Sequence, residues 1–151
     1  MKKIIPGVSL LFAALLICLF ITSCKTNYKP VLSSQQGINF TVTSVAEAKE
    51  MAKIQRKPLF VFAHASWCPT CKKMEHEVLI RKELGTAFNQ NFVNVAIDVD
   101  SPEGKKLNAL YPIRATPTLF FFNADGSLAK KTEGFTDAGE LLAVAQELTN
   151  H

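Results

Sequence analysis

The sequence predicts an α/β domain with a central mixed sheet that has helices on both faces. Short, almost continuously apolar runs alternate with segments whose apolar residues recur at helical spacing. Hydrophobic residues make up 48% of the 151 residues and charged residues 20%, which is typical of one folded globular domain. Strands that alternate with helices in this way join a sheet whose two faces are both covered.

Residues 38–63 are predicted to form a strand, a helix and a second strand. Residues 38–42 are predicted as a short strand, and apolar residues recur at helical spacing over residues 44–55. Ser44 is the predicted N-cap of that helix, because a Ser followed three residues later by a Glu is typical of a capping box. Pro58 ends the helix, and residues 59–63 form an apolar run that predicts a buried strand.

The next segments continue the alternation. Residues 68–82 are predicted as a helix, in which Pro69 is tolerated because it falls in the first turn. A short helix at residues 84–89 precedes residues 92–99, whose alternating apolar pattern predicts a second buried strand. A right-handed crossover makes this strand parallel to strand 59–63.

The last part of the chain predicts a helix, a β-hairpin and a final helix. The elements are a helix at 103–110 that begins near Ser101 and Pro102, a strand at 119–122, a turn at 123–126, a hairpin partner at 127–131 and a helix that ends near Leu148. Thr136 or Asp137 caps the final helix, whose apolar residues form one stripe. That stripe predicts a helix packed on the sheet.

A pair of cysteines follows the apolar strand 59–63. The chain reads Cys68-Pro69-Thr70-Cys71, which places two sulfurs about one helical turn apart on one face, where they can close a small disulfide ring. The Cys68 sulfur lies at a predicted helix N-terminus, where free N–H groups and the positive end of the helix dipole favour a thiolate. We therefore predict a redox pair in which Cys68 is the nucleophile and Cys71 the resolving thiol.

The N-terminus has the pattern of a targeting segment. Lys2 and Lys3 precede residues 8–21, an almost continuously apolar run that is short for a bilayer span. The run ends in Ile21-Thr22-Ser23-Cys24, which resembles the lipobox of bacterial lipoproteins. That resemblance implies cleavage before Cys24 and a lipid on its sulfur. The alternatives are an uncleaved N-terminal anchor and an ordinary signal peptide.

This interpretation divides the chain into three parts. Residues 1–23 are the lipoprotein signal peptide, residues 24–37 the lipidated N-terminus and flexible tether, and residues 38–151 the folded domain. The domain then lies at the bacterial cell envelope, facing the periplasm or the cell exterior, where disulfides persist. Only the pair at Cys68 and Cys71 remains in the body, so the sequence predicts no structural zinc site.

Two motifs about 45 residues apart carry a wider resemblance. The segment from Ser66 to Lys72, with Trp67 before the first cysteine, and the stretch Ile113-Arg114-Ala115-Thr116-Pro117-Thr118 together resemble the thioredoxin-like family. The resemblance implies the thioredoxin fold, with a mixed sheet of four to five strands. It implies a cis Pro117 that faces the disulfide, and a Thr116 backbone that pairs with an extended substrate chain. Pro69 and Thr70 are the expected supporting residues.

The segments around residues 57–59 and 71–75 narrow the resemblance. They are similar to small periplasmic thioredoxin-like proteins, including the C-terminal domain of the transmembrane reductant-conducting family. This implies a monomeric protein-disulfide reductase without a cofactor, with protein disulfides as substrates and a membrane reductant as electron donor. The alternative is a thiol reductant of cytochrome c maturation, since that family also has a Cys-Pro-Thr-Cys tetrad.

The chain departs from cytosolic thioredoxins at two positions. Phe62 stands where that family has a buried Asp, and Ala96 stands where it has a Lys. The usual proton acceptor for the second thiol is therefore missing. Asp98, Glu75 or water are the candidates to replace it.

Residues beside the cysteines have more than one interpretation. His64 either tunes the thiolate or packs under the helix, and Lys72 either adds positive potential or faces solvent. Trp67 is either an apolar lip beside the sulfur or a partly exposed packing residue. His64, Cys68 and Cys71 also offer three soft ligands for Cu(I) or Zn, and a protein-interaction scaffold is the remaining alternative. The sequence has no stripe of basic residues of the kind that would indicate nucleic-acid binding.

Overall fold

The computed structural model describes residues 37–150, which form a four-stranded sheet with five α-helices. Its elements, in chain order, are α1 (Val45–Gln55), β1 (Leu59–His64), α2 (Pro69–Met74), a π-helical turn (Glu75–Leu79), α3 (Lys82–Asn91), β2 (Val93–Asp98), α4 (Pro102–Leu110), β3 (Thr118–Phe122), β4 (Leu128–Glu133) and α5 (Ala138–Thr149). Within these residues, none of the helices has the length and apolar character needed to cross a bilayer.

The strand order is β2-β1-β3-β4. Strands β1 and β2 are parallel, with Leu59 opposite Val93, while β3 is antiparallel to both β1 and β4. The sheet is therefore mixed, as predicted, and the two long apolar runs are its parallel pair. Strands β1, β2 and β3 are apolar almost throughout because both faces of the sheet are covered.

Each face of the sheet has its own apolar core. Phe60 and Phe62 of β1 and Phe121 of β3 lie on one face, in a cluster with side chains of α2, α3 and α5. Val61 and Phe120 lie on the other face, in a cluster with side chains of α1 and α4. The prediction of helices on both faces is confirmed. The first of these clusters includes both cysteines, so the redox pair is built into the core on one face.

Two helix starts follow from side-chain caps. The Ser44 hydroxyl accepts from the Glu47 N–H at 3.5 Å, as predicted. At α5 the Asp137 carboxylate accepts from the Glu140 N–H at 2.9 Å, and the Glu140 carboxylate accepts in return from the Asp137 N–H at 3.4 Å. Asp137 is therefore the cap, whereas Thr136, the other candidate, is buried.

The predicted strand at 38–42 is wrong in its extent. Only Val42 pairs with the sheet, through a single parallel bridge to Val95. The start of this segment instead attaches to the helical side of the fold. The Ile38 N–H donates to the Leu79 carbonyl at 2.8 Å, and the Asn89 amide donates to the Gly37 carbonyl at 2.9 Å. Side-chain and helix-end groups have replaced the β-ladder as hydrogen-bond partners.

The predicted helix at 68–82 is shorter than expected and has a break in its regular geometry. It is α-helical from Pro69 to Met74, continues as a π-helical turn from Glu75 to Leu79 and ends at Ile80. The hairpin partner of β3 also begins later than predicted, at Leu128, because Asp125 and Ser127 form the turn. Neither difference moves the cysteine pair from the end of β1.

Candidate active site

The cysteine pair lies where β1 leads into α2. The Cys68 N–H donates to the Ala65 carbonyl at 3.1 Å, which closes the loop after the strand. Cys68 is the N-cap of α2, and its sulfur accepts from the Cys71 N–H at 3.1 Å. Pro69 occupies the first turn, where its missing N–H removes no helical hydrogen bond. The free N–H groups at this helix start are thus placed to stabilise a negative sulfur.

The Cys68 and Cys71 sulfurs are joined as a disulfide, with the two Cα atoms 5.3 Å apart. Cys71 has no exposed surface, whereas Cys68 is 3% exposed. An incoming group can therefore approach only the Cys68 sulfur. The roles predicted for the pair, with Cys68 as nucleophile and Cys71 as resolving thiol, remain a prediction.

The second motif lies against the first, although the two are far apart in sequence. The Thr116–Pro117 peptide bond is cis, and the Thr116 carbonyl oxygen lies 3.4 Å from the Cys68 sulfur. The Thr118 hydroxyl donates to the Ala115 carbonyl at 2.6 Å, and the Gly134 N–H donates to the Pro117 carbonyl at 2.7 Å. The loop is fixed on both sides, so backbone groups of Thr116 are held beside the disulfide.

A groove of about 280 Å³ runs beside the disulfide. Trp67 and Asp100 form one part of its lining, and Arg114 and Thr116 form another. The Trp67 side chain is 64% exposed, and its indole N–H donates to the Asp100 carboxylate at 2.7 Å. Trp67 therefore stands as an exposed wall of the groove and is not a core residue.

The Glu133 carboxylate binds Arg114, one of the residues that line this groove. The Lys131 ammonium donates to the Glu133 carboxylate, and the Arg114 N–H donates to the same carboxylate at 3.4 Å. Both contacts hold the pKa of Glu133 below its usual range, with the Lys131 hydrogen bond as the larger cause. The acid therefore stays charged near neutral pH and fixes the backbone of Arg114 at the groove.

The remaining residues near the pair differ in exposure. Pro69 and Lys72 are exposed, and Thr70 is half-buried. The Lys73 ammonium lies 5.0 Å from the ring centre of Phe135, which is 42% exposed. Phe135 follows the glycine that is bonded to the Pro117 loop, so it belongs to the surface around the disulfide. The sequence did not single out Phe135, because nothing local places it near residues far earlier in the chain.

The two positions that depart from cytosolic thioredoxins are neighbours. Phe62 of β1 and Ala96 of β2 lie opposite each other in the parallel register. The His64 ring stacks on the Phe62 ring with centres 5.3 Å apart, and its Nδ1 lies 3.6 Å from Oε1 of Glu75. Phe62 and Ala96, both apolar, thus occupy the positions of the missing charged residues. The His64 ring lies against Phe62 and beside the Glu75 carboxylate.

Asp98, another candidate for the missing acceptor, has a different role in the structure. Its carboxylate accepts from the Asp100 N–H at 2.9 Å and shapes the turn after β2. No three side chains of the His, Cys, Asp and Glu types cluster within residues 37–150 as metal ligands do. The three-ligand set of His64, Cys68 and Cys71 is therefore not assembled. Cys24 lies outside the described residues.

Residues 45–149 match the family model of the thioredoxin-like domain. Among curated proteins, the chain is 29% identical over 119 residues to the "Thiol:disulfide interchange protein DsbD" of Klebsiella pneumoniae, a match that covers 76% of this chain and 20% of that protein. The chain therefore spans about a fifth of the length of such interchange proteins.

Two solved structures share the fold. A candidate disulphide-isomerase from Bacteroides thetaiotaomicron is 34% identical, with a TM-score of 0.65 over 76% of this chain and 94% of the other. The oxidised C-terminal domain of DsbD from Neisseria meningitidis is 25% identical, with a TM-score of 0.57 over 70% of this chain and 97% of that one. These matches confirm the predicted fold.

Proposed function

This chain belongs to the thioredoxin-like domain family of thiol-disulfide oxidoreductases, and we propose that it reduces disulfides of protein substrates outside the cytoplasm while held at a membrane. The observation that carries the proposal is the position of the cysteine pair. The Cys68 sulfur lies 3.4 Å from the Thr116 carbonyl, at the edge of an open groove. Trp67, which precedes Cys68 in sequence, and Thr116, whose carbonyl lies beside the Cys68 sulfur, both line that groove, so a substrate chain bound there would lie beside the pair.

The first step forms a mixed disulfide. The Cys68 thiolate bonds to one sulfur of the substrate disulfide, the substrate S–S bond breaks, and the second substrate sulfur leaves with the electron pair and takes up a proton. The Cys71 N–H, 3.1 Å from the Cys68 sulfur, stabilises the thiolate before the attack. Thr116 supports this step because its backbone groups can pair with an extended substrate chain.

The second step releases the reduced substrate. The Cys71 thiolate bonds to the Cys68 sulfur, and the bond between Cys68 and the substrate breaks. The two Cα atoms, 5.3 Å apart, suit this ring closure. A dithiol donor must then reduce the pair, and we propose that a membrane reductant supplies these electrons.

The two steps can be separated with single substitutions. Cys71→Ser, in its reduced form, should accumulate a mixed disulfide with a disulfide-containing test protein such as oxidised insulin, because the resolving thiol is absent. Cys68→Ser should form none, because the buried Cys71 cannot be approached. Equal trapping by both variants, seen on non-reducing gels, would contradict the assigned roles.

The direction of electron flow is tested by a redox equilibrium. We expect the Cys68–Cys71 pair to be more reducing than the glutathione couple, as a reductase requires. The fraction of oxidised protein in glutathione buffers measures this directly, and insulin reduction with dithiothreitol measures turnover. A pair that stays reduced in oxidised glutathione would instead indicate an oxidase or an isomerase, and an inert pair would indicate a scaffold.

The membrane anchor rests on Cys24 and its lipobox-like context. We propose that this cysteine carries the lipid and that residues 25–37 tether the domain. Mass spectrometry of the membrane-bound protein should show a mature chain that begins at Cys24 and carries a lipid, and Cys18→Ser should not change this result. A membrane-bound chain that keeps residues 1–23 and an unmodified Cys24 would instead indicate that the apolar run at 8–21 is an uncleaved anchor.

A further inference from the structure

We infer that His64 and Glu75 together accept the proton of the Cys71 thiol during the resolving step. The inference deepens the proposed function, because it concerns the same cysteine pair. Cys71 must become a thiolate to attack, yet it has no exposed surface and burial disfavours a charged sulfur. The chain therefore needs a proton acceptor near a thiol that bulk water does not reach.

The side chains beneath the pair do not meet this need. Phe62 lies in the same buried cluster as both cysteines, and Ala96 lies beside it on β2. Neither side chain accepts a proton. Asp98 is the next acid along β2, and its carboxylate is bonded to the turn at Asp100.

Glu75 is positioned by the active-site helix itself. Its N–H donates to the Cys71 carbonyl, so the two residues lie one helical turn apart on the same face. Side chains with this spacing have Cβ atoms about 5–6 Å apart, which one hydrogen-bonded water can bridge. The Glu75 carboxylate is thus an acid held within reach of the buried sulfur.

His64 completes the site from the strand. Its ring is stacked on Phe62, on the face of β1 that α2 covers, and its Nδ1 lies 3.6 Å from the Glu75 carboxylate. The His64 and Glu75 side chains are 25% and 38% exposed, so both reach solvent, while Glu75 stands one helical turn from the buried Cys71. A proton received on the inside can therefore leave on the outside.

The charged groups that face His64 are both acids. Glu75 faces it from the helix, and Asp98 lies opposite it in the parallel register of β2. On the other side of β1, the residue at this end of β3 is Thr118, which is uncharged. A proton that leaves Cys71 toward His64 therefore moves toward negative charge.

The resolving step moves one proton from Cys71 and one electron pair to the substrate sulfur. The Cys71 S–H bond breaks and its proton passes to the His64–Glu75 pair, while the Cys71 sulfur bonds to the Cys68 sulfur. The bond between Cys68 and the substrate breaks, and the substrate sulfur leaves with the electron pair and is protonated from solvent. The cysteine pair is oxidised and the substrate is reduced.

The experiment follows the two thiols separately. Reduced protein is mixed with dithionitrobenzoate in a stopped-flow instrument, where the first thionitrobenzoate release reports attack by Cys68 and the second reports resolution by Cys71. The variants are His64→Gln and Glu75→Gln. The matched controls are His76→Gln and Glu77→Gln, which change exposed residues of the same types on the same helical segment.

We expect both test variants to slow the second release about tenfold near pH 7, with the first release changed less than about twofold. The difference should depend on pH, because the His64–Glu75 pair can accept a proton only while it is unprotonated, and because hydroxide can remove the thiol proton unaided at high pH. A loss that is equal at every pH, or no loss, overturns the inference. If the unmodified protein shows no first release, the proposed function fails instead.

A second measurement does not depend on the variants folding. In the unmodified protein, the NMR titration of the His64 ring should differ between the oxidised and reduced states, because only the reduced state has a Cys71 proton to share. The His76 ring should titrate identically in both states. Identical His64 curves in the two states overturn the inference.

Discussion

The indole N–H of Trp67 donates to the carboxylate of Asp100 at 2.7 Å, which joins the loop before the cysteine pair to the loop after β2. The Trp67 side chain is 64% exposed, so burial alone does not fix its position. Asp100 is itself held by its N–H, which donates to Asp98. The contact between these two loops therefore holds the Trp67 ring as one wall of the groove beside the cysteine pair.

Replacing Asp100 tests the importance of that wall. Asp100→Ala should lower kcat/KM for insulin reduction about fivefold, because an exposed charge-assisted hydrogen bond contributes about 1 kcal/mol and the freed indole becomes mobile. Asp100→Asn keeps an acceptor oxygen and should lose less than about twofold. Parental activity in the Ala variant, with unchanged Trp67 fluorescence, would contradict this role.

Phe121 and Phe135 allow the stability contribution of a buried phenylalanine to be compared with that of an exposed one. Phe121 is buried and stacks on Phe60 with ring centres 5.1 Å apart, whereas Phe135 is 42% exposed. Phe121→Ala should lower the free energy of unfolding by about 3–5 kcal/mol, because it opens a cavity in the core. Phe135→Ala should lower it by less than about 1 kcal/mol. Urea unfolding of the oxidised protein measures both, and equal losses would contradict the structure.

A glycine in α3 tests the close contact with the start of the domain. A Cβ at Gly85 meets the Gly37 carbonyl oxygen at 2.5 Å and the Gly37 nitrogen at 2.8 Å. Gly85→Ala should therefore lower the free energy of unfolding by about 1–3 kcal/mol, despite the higher helix propensity of Ala. Gly139→Ala in α5, where the nearest atom is a side-chain oxygen at 3.3 Å, is the control and should be near neutral. Thermal unfolding that ranks them the other way would count against the contact.

The hairpin turn gives a pH-dependent prediction. The Ser127 hydroxyl and N–H both donate to the Asp125 carboxylate, and the hydroxyl bond is the larger cause of its lowered pKa. A depressed pKa means that the contribution to stability is complete above the ordinary value of 3.8 and disappears as the pH falls through the folded value.

Ser127→Ala should raise the pKa of Asp125 toward its ordinary value, since the side-chain donor is removed while the backbone donor remains. An NMR titration of the Asp125 carboxyl carbon measures the shift. Glu133, whose pKa is lowered by contacts with Lys131 and Arg114, serves as the internal control and should not move. An unchanged Asp125 titration would show that the hydroxyl bond is not formed.

The sequence predicts strands β1, β2 and β3 because burial on both faces of the sheet requires apolar side chains at almost every position. The runs at β1, β2 and β3 are apolar almost without interruption, and each was predicted within one residue or two of its bounds. The cysteine pair and the Thr116–Pro117 loop were also recognised, because each is a local motif. The antiparallel pairing of β1 with β3 brings the two motifs together, and neither motif by itself predicts that pairing.

The features that the sequence did not predict depend on contacts between distant residues. Residues 38–42 have a strand-like pattern, yet the backbone at Gly37 and Asn39 is bound by the Asn89 side chain, 52 and 50 residues later. Asp100 could be found only after the Trp67 loop was placed beside it. Side-chain hydrogen bonds across such separations have no periodic pattern, so no local rule finds them.

The attachment of Gly37 also sets where the preceding residues join the domain. Ile38 is bonded to Leu79, at the opposite end of the helical segment from Cys68, which at about 1.5 Å per residue is roughly 16 Å away. The residues that precede Gly37 therefore join the domain at a point remote from the reactive sulfur, so their attachment does not occupy the surface around Cys68.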